Sequence, residues 1–198
     1  MDNDTTVRLS RRRFLTASTS VVGALGVAAF SVPFIRAWQP NRKAQIAAAP
    51  IEVDISKLED GQLIRVQWQG KPVWIVRRPA VMITALLKPD ERLLDPLSLQ
   101  KQQPDYAQNS LRSIRPEIFV AVGICTHLGC SPTYLPKTLS DHITNVQSGF
   151  FCPCHGSSFD MAGRVFAGGP ASLNLAVPKY RYLSANRLLI GKDEGEVS

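Results

Sequence analysis

All four cysteines and two of the three histidines of this chain fall in two six-residue boxes, and no other feature restricts the fold as tightly. The first box is Cys125-Thr126-His127-Leu128-Gly129-Cys130, and the second is Cys152-Pro153-Cys154-His155-Gly156-Ser157. Each offers a Cys and a His close enough to face one metal centre, as C-x-H in the first and C-x-x-H in the second. The glycines permit tight turns that point backbone N–H groups at an anionic centre. Three chemistries compete for such a set. Structural zinc pairs usually keep two to four residues between ligands, whereas a single residue separates Cys125 from His127. A redox dithiol asks for C-x-x-C, and Cys152-Pro153-Cys154 is not one. The third chemistry is a 2Fe–2S cluster with two thiolates on one iron and two imidazoles on the other.

A second constraint lies at the N-terminus. Phe14 to Ile35 is a run of 22 residues without a charge, bracketed by Arg13 and Arg36. At about 1.5 Å per residue, a helix of that length crosses the roughly 30 Å hydrocarbon core of a bilayer. Cleaved export signals carry shorter apolar regions, and Ala47-Ala48-Ala49, which could mimic a cleavage site, lies well beyond the run. A retained anchor is therefore expected. Ser10-Arg11-Arg12-Arg13-Phe14-Leu15 stands just ahead of it and matches the twin-arginine export pattern. That route carries folded proteins, so a centre assembled in the cytoplasm survives the crossing, and the motif places the N-terminus inside.

The net charge of +7 belongs to the flanks of this segment. Residues 1–43 hold seven Lys/Arg against Asp2 and Asp4, while the rest of the chain is nearly balanced. Nucleic-acid binding loses its support, since no basic groove or helix face remains.

From Ile51 onward the chain reads as short strands. Ile51 to Ile55 alternates strictly, and Leu63 to Trp68 and Val73 to Val76 follow across a Gln69-Gly70 turn. Pro79 to Leu87 is the helix candidate, opened by a proline. Ile118 to Ile124 is an apolar strand leading into Cys125, and later strands are expected at Arg164–Phe166, Lys179–Tyr182 and Arg187–Ile190. Between anchor and head, Trp38 suits an interfacial position, and the stretch to Pro50 reads as a hinge or spacer. The expected divisions are 1–13 (cytoplasmic twin-arginine segment), 14–37 (anchor), 38–50 (hinge linker), 51–191 (head, with loops 125–130 and 152–157) and 192–198 (tail).

The two boxes resemble the Rieske signature. The run from Arg112-Ser113-Ile114-Arg115-Pro116 to Cys130 is similar to the approach to the first ligand loop in the cytochrome bc complex branch of that family. Gly168-Gly169-Pro170-Ala171 is similar to the proline loop that covers the cluster there. The order of anchor, linker and head agrees, so the resemblance covers nearly the whole chain. It implies a mainly β fold, an antiparallel β-sandwich head with a small cluster-binding subdomain on one transmembrane helix. Carried over by position, it implies a 2Fe–2S cofactor with Cys125 and Cys152 on the buried iron and His127 and His155 on the exposed one. It also implies a Cys130–Cys154 disulfide; the four cysteines by themselves allow three pairings. His155 matches the ligand that meets quinol, Ser157 the donor to a cluster sulfide, and Gly169 and Pro170 the covering loop. The implied work is respiratory: an electron and a proton taken from ubiquinol at cytochrome b, the electron passed to cytochrome c1, with the proton gradient as the result. The implied setting is a dimeric complex in the bacterial inner membrane, with the head on the periplasmic side.

Charge counting fits that work. Replacing two thiolates by neutral imidazoles brings the oxidised cluster from −2 to 0, so an added electron is easier to accept, as holds for such centres in general.

Several residues depart from the family pattern. His127 and Cys152 are separated by 24 residues, more than in many relatives, and His142 in that stretch is expected to be a solvated loop residue. Ser172 stands where a second proline is common. Phe159 stands where many relatives have a tyrosine that donates to a ligand sulfur. Two related architectures compete, the small subunit of an arsenite-oxidase-type enzyme and a soluble oxygenase ferredoxin. The latter lacks an anchor and the two extra cysteines.

Overall fold

The computed structural model describes residues 2–39, 46, 48–136 and 148–193. His142 and most of the 38–50 linker lie outside them, as does the 192–198 tail beyond Asp193. The chain divides into two units, one ending at Ile46 and one beginning at Ala47.

Among the described residues, the first unit holds the helix α1 (Asp2–Ala37), whose stretch from Ser10 to Ala37 is long and apolar enough to span a membrane. Its large apolar side chains, among them Phe14, Leu25 and Phe30, are exposed. Three hydroxyls within the span are satisfied inside the helix: Thr16 Oγ1 donates to the Arg12 carbonyl, Thr19 Oγ1 to Leu15 and Ser31 Oγ to Val27, each at 2.8 Å. Internal satisfaction of this kind lets a polar side chain enter hydrocarbon at small cost. Pro33 lies in the last turns, where few bonds depend on its missing N–H.

Among the described residues, the second unit is built on nine short strands in three antiparallel sheets. One sheet joins β1 (Ile51–Asp54), β9 (Arg187–Ile190) and β8 (Tyr180–Ser184). A second joins β2 (Leu63–Trp68), β3 (Lys71–Arg77) and β4 (Ile118–Val122). The third is the smallest, β5 (Thr133–Leu135), β6 (Gly149–Phe151) and β7 (Ser158–Phe159). Together they form the antiparallel sandwich and small subdomain that the resemblance implies.

The hairpin between β2 and β3 has Gln69 and Gly70 at φ 50° and 72°, the pair of left-handed residues that a two-residue turn matching strand twist requires. Its register runs from Trp68 opposite Lys71 to Leu63 opposite Val76. β3 is the central strand of its sheet, and Val73, Trp74, Ile75 and Val76 are all buried, so both faces are covered. These residues share one core with Phe119 and Val120 of β4, Tyr180, Leu188 and Ile190 of the first sheet, and Phe150 and Phe159 of the third. Trp74 stacks on Phe150 at 5.1 Å, which joins the small sheet to the sandwich.

Several expected boundaries move for local reasons. β1 stops at Asp54, because the Asp54 carboxylate accepts from Ser56 N and turns the chain. The helix α2 (Ala80–Leu86) starts one residue late, since Pro79 at ψ 158° is the extended residue before it. β4 ends at Val122. Arg164–Phe166 does not form a strand: Val165 bridges Phe159 and Phe166 bridges Leu93, two isolated pairs with different partners.

The long run between α2 and β4 holds only a 3-10 turn, Asp105–Ala107. Three buried arginines stitch it down. Arg78 donates to the carbonyls of Pro116, Leu111 and Met161 and to Ser113 Oγ. Arg112 reaches the Ala162 and Gly163 carbonyls and Gln103 Oε1. Arg164 pairs with Asp160 at 2.6 Å and donates to the Leu86 and Pro96 carbonyls. A planar fork with five donors can satisfy this many irregular carbonyls without water. Burial lowers Arg78 and Arg112 to about 10, while the Asp160 carboxylate nearby opposes the shift.

Candidate metal centre

Both boxes fold into the same turn. In the first, Cys125 N donates to the Cys130 carbonyl at 2.7 Å and Gly129 N to the Cys125 carbonyl at 3.1 Å. In the second, Cys152 N donates to Ser157 at 2.8 Å and Gly156 N to Cys152 at 3.0 Å. Each turn is closed at the same two places, and each needs a left-handed fifth residue, supplied by Gly129 at φ 86° and Gly156 at φ 79°. The first box begins three residues after β4 and the second directly after β6.

That placement sorts the six candidate residues. Cys125 and Cys152 are free and buried, at 3% and 1% exposure. His127 is half-buried and His155 exposed, with their rings 4.8 Å apart and nearly perpendicular. Cys130 and Cys154 are joined in a disulfide that ties the loops together across 24 positions of sequence. The sulfurs of Cys130, Cys152 and Cys154 lie within 4.8 Å of one another, as the ligands of a metal would. Two of those three are consumed by the disulfide, so that trio is not a ligand set.

The remaining four, two buried thiols and two outward imidazoles, match the donors of a mixed thiolate–imidazole 2Fe–2S cluster. Burial pushes the Cys125 thiol up and the neighbouring Cys152 thiol adds to that, while the His127 backbone N–H and the Ser157 hydroxyl bond to the sulfur and oppose the shift.

The 168–173 loop is latched to both boxes. Thr126 Oγ1 donates to the Leu173 carbonyl at 2.6 Å, and Ala171 N donates to Ser157 Oγ at 3.1 Å. Gly169 passes so close to box two that a Cβ there would meet Ser157 Cα at 2.8 Å. Pro170 is exposed beside it. Phe159 is fully buried in the shared core. A cavity of about 240 Å³ lined by Met82, Leu86, Asp160 and Arg164 contains no box residue.

Sequence reasoning missed three contacts that position the site: Thr126 to Leu173, Arg164 to Asp160, and Tyr134 Oη donating to the Gly61 carbonyl at 2.8 Å. The only local signal was the four-residue spacing of Asp160 and Arg164. The others join positions 47 and 73 residues apart.

The chain is similar to several known proteins. Residues 1–41 match the family described as "Ubiquitinol-cytochrome C reductase Fe-S subunit TAT signal", and residues 95–181 match "Rieske [2Fe-2S] domain". The ubiquinol-cytochrome c reductase iron-sulfur subunit of Allochromatium vinosum is 54% identical over 190 residues, 96% of this chain and 92% of that one. Its counterpart from Blastochloris viridis is 40% identical over 191 residues, 96% and 98% of the two chains. Among solved structures, a chain titled "Hyperthermophilic respiratory Complex III" aligns with a TM-score of 0.47 at 26% identity, covering 87% of this chain and 98% of that one.

Proposed function

The chain belongs to the Rieske iron–sulfur subunits of ubiquinol–cytochrome c reductase, and from that footing we propose that it takes an electron and a proton from ubiquinol at cytochrome b and passes the electron to cytochrome c1. Its cofactor is a Rieske 2Fe–2S cluster. When bound, the cluster supplies a one-electron acceptor whose potential is raised by its neutral imidazole ligands.

Cys125 and Cys152 would hold the cluster from its buried side, and His127 and His155 from its outer side. The observation that carries this assignment is the division of the four side chains, two thiols in the core and two imidazoles toward solvent, on loops closed by the same turn. His155 is the exposed imidazole, and its ring nitrogen not used for ligation accepts the hydroxyl proton of quinol. Leu128, 73% exposed, gives this tip an apolar rim that keeps water from the contact. Ser157 donates to the Cys125 sulfur and stabilises negative charge there. The Cys130–Cys154 bond and the Gly169-Pro170 loop hold the two boxes in register.

Residues 1–13 stay in the cytoplasm, 14–37 span the inner membrane, 38–50 act as a hinge, and 51–191 form the periplasmic head ahead of a 192–198 tail. The head moves on its hinge between cytochrome b and cytochrome c1 within a dimeric complex. The experiment is to isolate the chain from membranes in detergent and assay what travels with it. Cytochromes b and c1, with ubiquinol-dependent reduction of cytochrome c1, are the expected result. Recovery with a molybdenum-containing large subunit and electron intake from arsenite would replace this reading.

A further inference from the structure

We propose that Cys152 is an internal exchange thiol: in the cluster-free chain it attacks the Cys130–Cys154 disulfide, forms Cys130–Cys152 and releases Cys154. The inference rests on the ligand assignment above, in which Cys152 is bound to iron when the cluster is present.

Proximity supplies the first argument. The three sulfurs sit within 4.8 Å of one another, and Cys152 is the one that carries a free thiol. Thiolate attack on a disulfide runs in line with the bond that breaks, and a side-chain rotation of Cys152 closes a gap of this size. Cys125, the other free cysteine, is not in that trio; its sulfur is bonded by the His127 N–H, the Cys152 thiol and the Ser157 hydroxyl.

The direction of attack follows from the leaving group and the ring formed. Attack at the Cys130 sulfur expels Cys154, which is exposed, so the departing thiolate is stabilised by water. Attack at the Cys154 sulfur would close a small ring across Pro153 and expel the more buried Cys130. The step balances without an external oxidant. The Cys152–Cys130 bond forms as the Cys130–Cys154 bond breaks, Cys152 gives up its thiol proton to water, and Cys154 takes one up. One disulfide and two thiols are present before and after.

The consequence is an order of assembly. After exchange, a ligand cysteine is locked in a disulfide and the chain cannot receive a cluster. The ligand set survives only where the cluster occupies Cys152 before the disulfide closes. A twin-arginine signal permits that order, with the metal centre built in a reducing compartment and the disulfide formed after export.

The test uses the full-length chain purified in detergent with its cluster. It is alkylated before and after anaerobic removal of iron by a chelator, and the labels and crosslinks are located by fragmentation mass spectrometry. In the loaded protein neither Cys125 nor Cys152 is alkylated; labelling there would overturn the ligand assignment itself. After stripping, most molecules are expected to carry labels on Cys125 and Cys154 and a Cys130–Cys152 crosslink. An intact Cys130–Cys154 bond with labels on Cys125 and Cys152 would overturn the exchange alone. A crosslink to Cys125 would overturn the role of Cys152. A mixture of pairings equal to that of the same chain stripped in guanidinium would show that unfolding, not proximity, drives the change. In Cys152→Ser, which is expected to carry no cluster, the Cys130–Cys154 bond should stay intact with the label on Cys125. Loss of that bond in the variant also counts against the proposal.

Discussion

Replacing Ser157 by alanine removes one hydroxyl that makes two bonds, and the two losses are measured separately. Ser157 is 1% exposed; its oxygen accepts from Ala171 N at 3.1 Å while its proton is directed at the Cys125 sulfur. Ala171 is itself buried, so its N–H would lose its partner at a cost of about 1–3 kcal/mol. A hydrogen bond to a charged acceptor contributes about 1.5–3 kcal/mol. If about a third to a half of that depends on the added electron, the reduced state loses roughly 0.5–1.5 kcal/mol relative to the oxidised one. At about 59 mV per tenfold change for one electron, the potential falls by roughly 20–65 mV. A redox titration that follows the reduced-state paramagnetic signal measures this shift, and thermal unfolding measures the loss of the Ala171 bond. A variant that keeps its cluster, loses stability and shows an unchanged potential would refute the link between Ser157 and the Cys125 sulfur.

Phe159→Tyr should move the potential the other way by some tens of millivolts, on the order of one partial hydrogen bond to a ligand sulfur; the same titration checks it, and a fall in potential contradicts it. Burial pushes Tyr106 and Tyr134 up to about 12 and Tyr180 and Tyr182 higher still, whereas a tyrosine in the unfolded chain ionises near about 10. Stability should therefore hold below about pH 10 and fall as pH rises through the raised values, because the unfolded chain gives up these protons first. Arg78 and Arg112, lowered toward about 10, act in the opposite sense but are two groups against four. Denaturant titrations at a series of alkaline pH values test the sign, and stability that rises from pH 10 to 11 contradicts it. Finally, the mature protein should retain residues 14–35, read by intact mass after membrane extraction; a start near Pro50 contradicts the anchor.

The parts of the fold that were legible in sequence are those encoded locally. Leu63 to Trp68 was readable to the residue because an apolar strand runs straight into a Gln69-Gly70 turn, and Arg187 to Ile190 likewise. The third sheet was not, since strands of two or three residues carry no measurable alternation. Arg164 to Phe166 looked like a strand by composition, but Arg164 is held by Asp160, and Val165 and Phe166 pair with different partners. The buried Arg78 and Arg112 had no local signal at all, because their partners are up to 83 residues away. The site was legible because each box is contiguous and its chemistry unusual. Depth was legible only through the family resemblance, not from the residues themselves. That Cys125 and Cys152 lie in the core while His155 faces water follows from the strands β4 and β6 that deliver the boxes.

The central claim is that two cysteines and two histidines share one 2Fe–2S cluster with His155 outward. Pulsed electron paramagnetic resonance of the reduced, membrane-extracted complex tests it most directly, by counting the nitrogens coupled to the cluster spin. The account expects a reduced 2Fe–2S signal with two directly bound histidine nitrogens, lost altogether in His155→Ser. A colourless protein without that signal, or a cluster coupled to no histidine nitrogen, would contradict it.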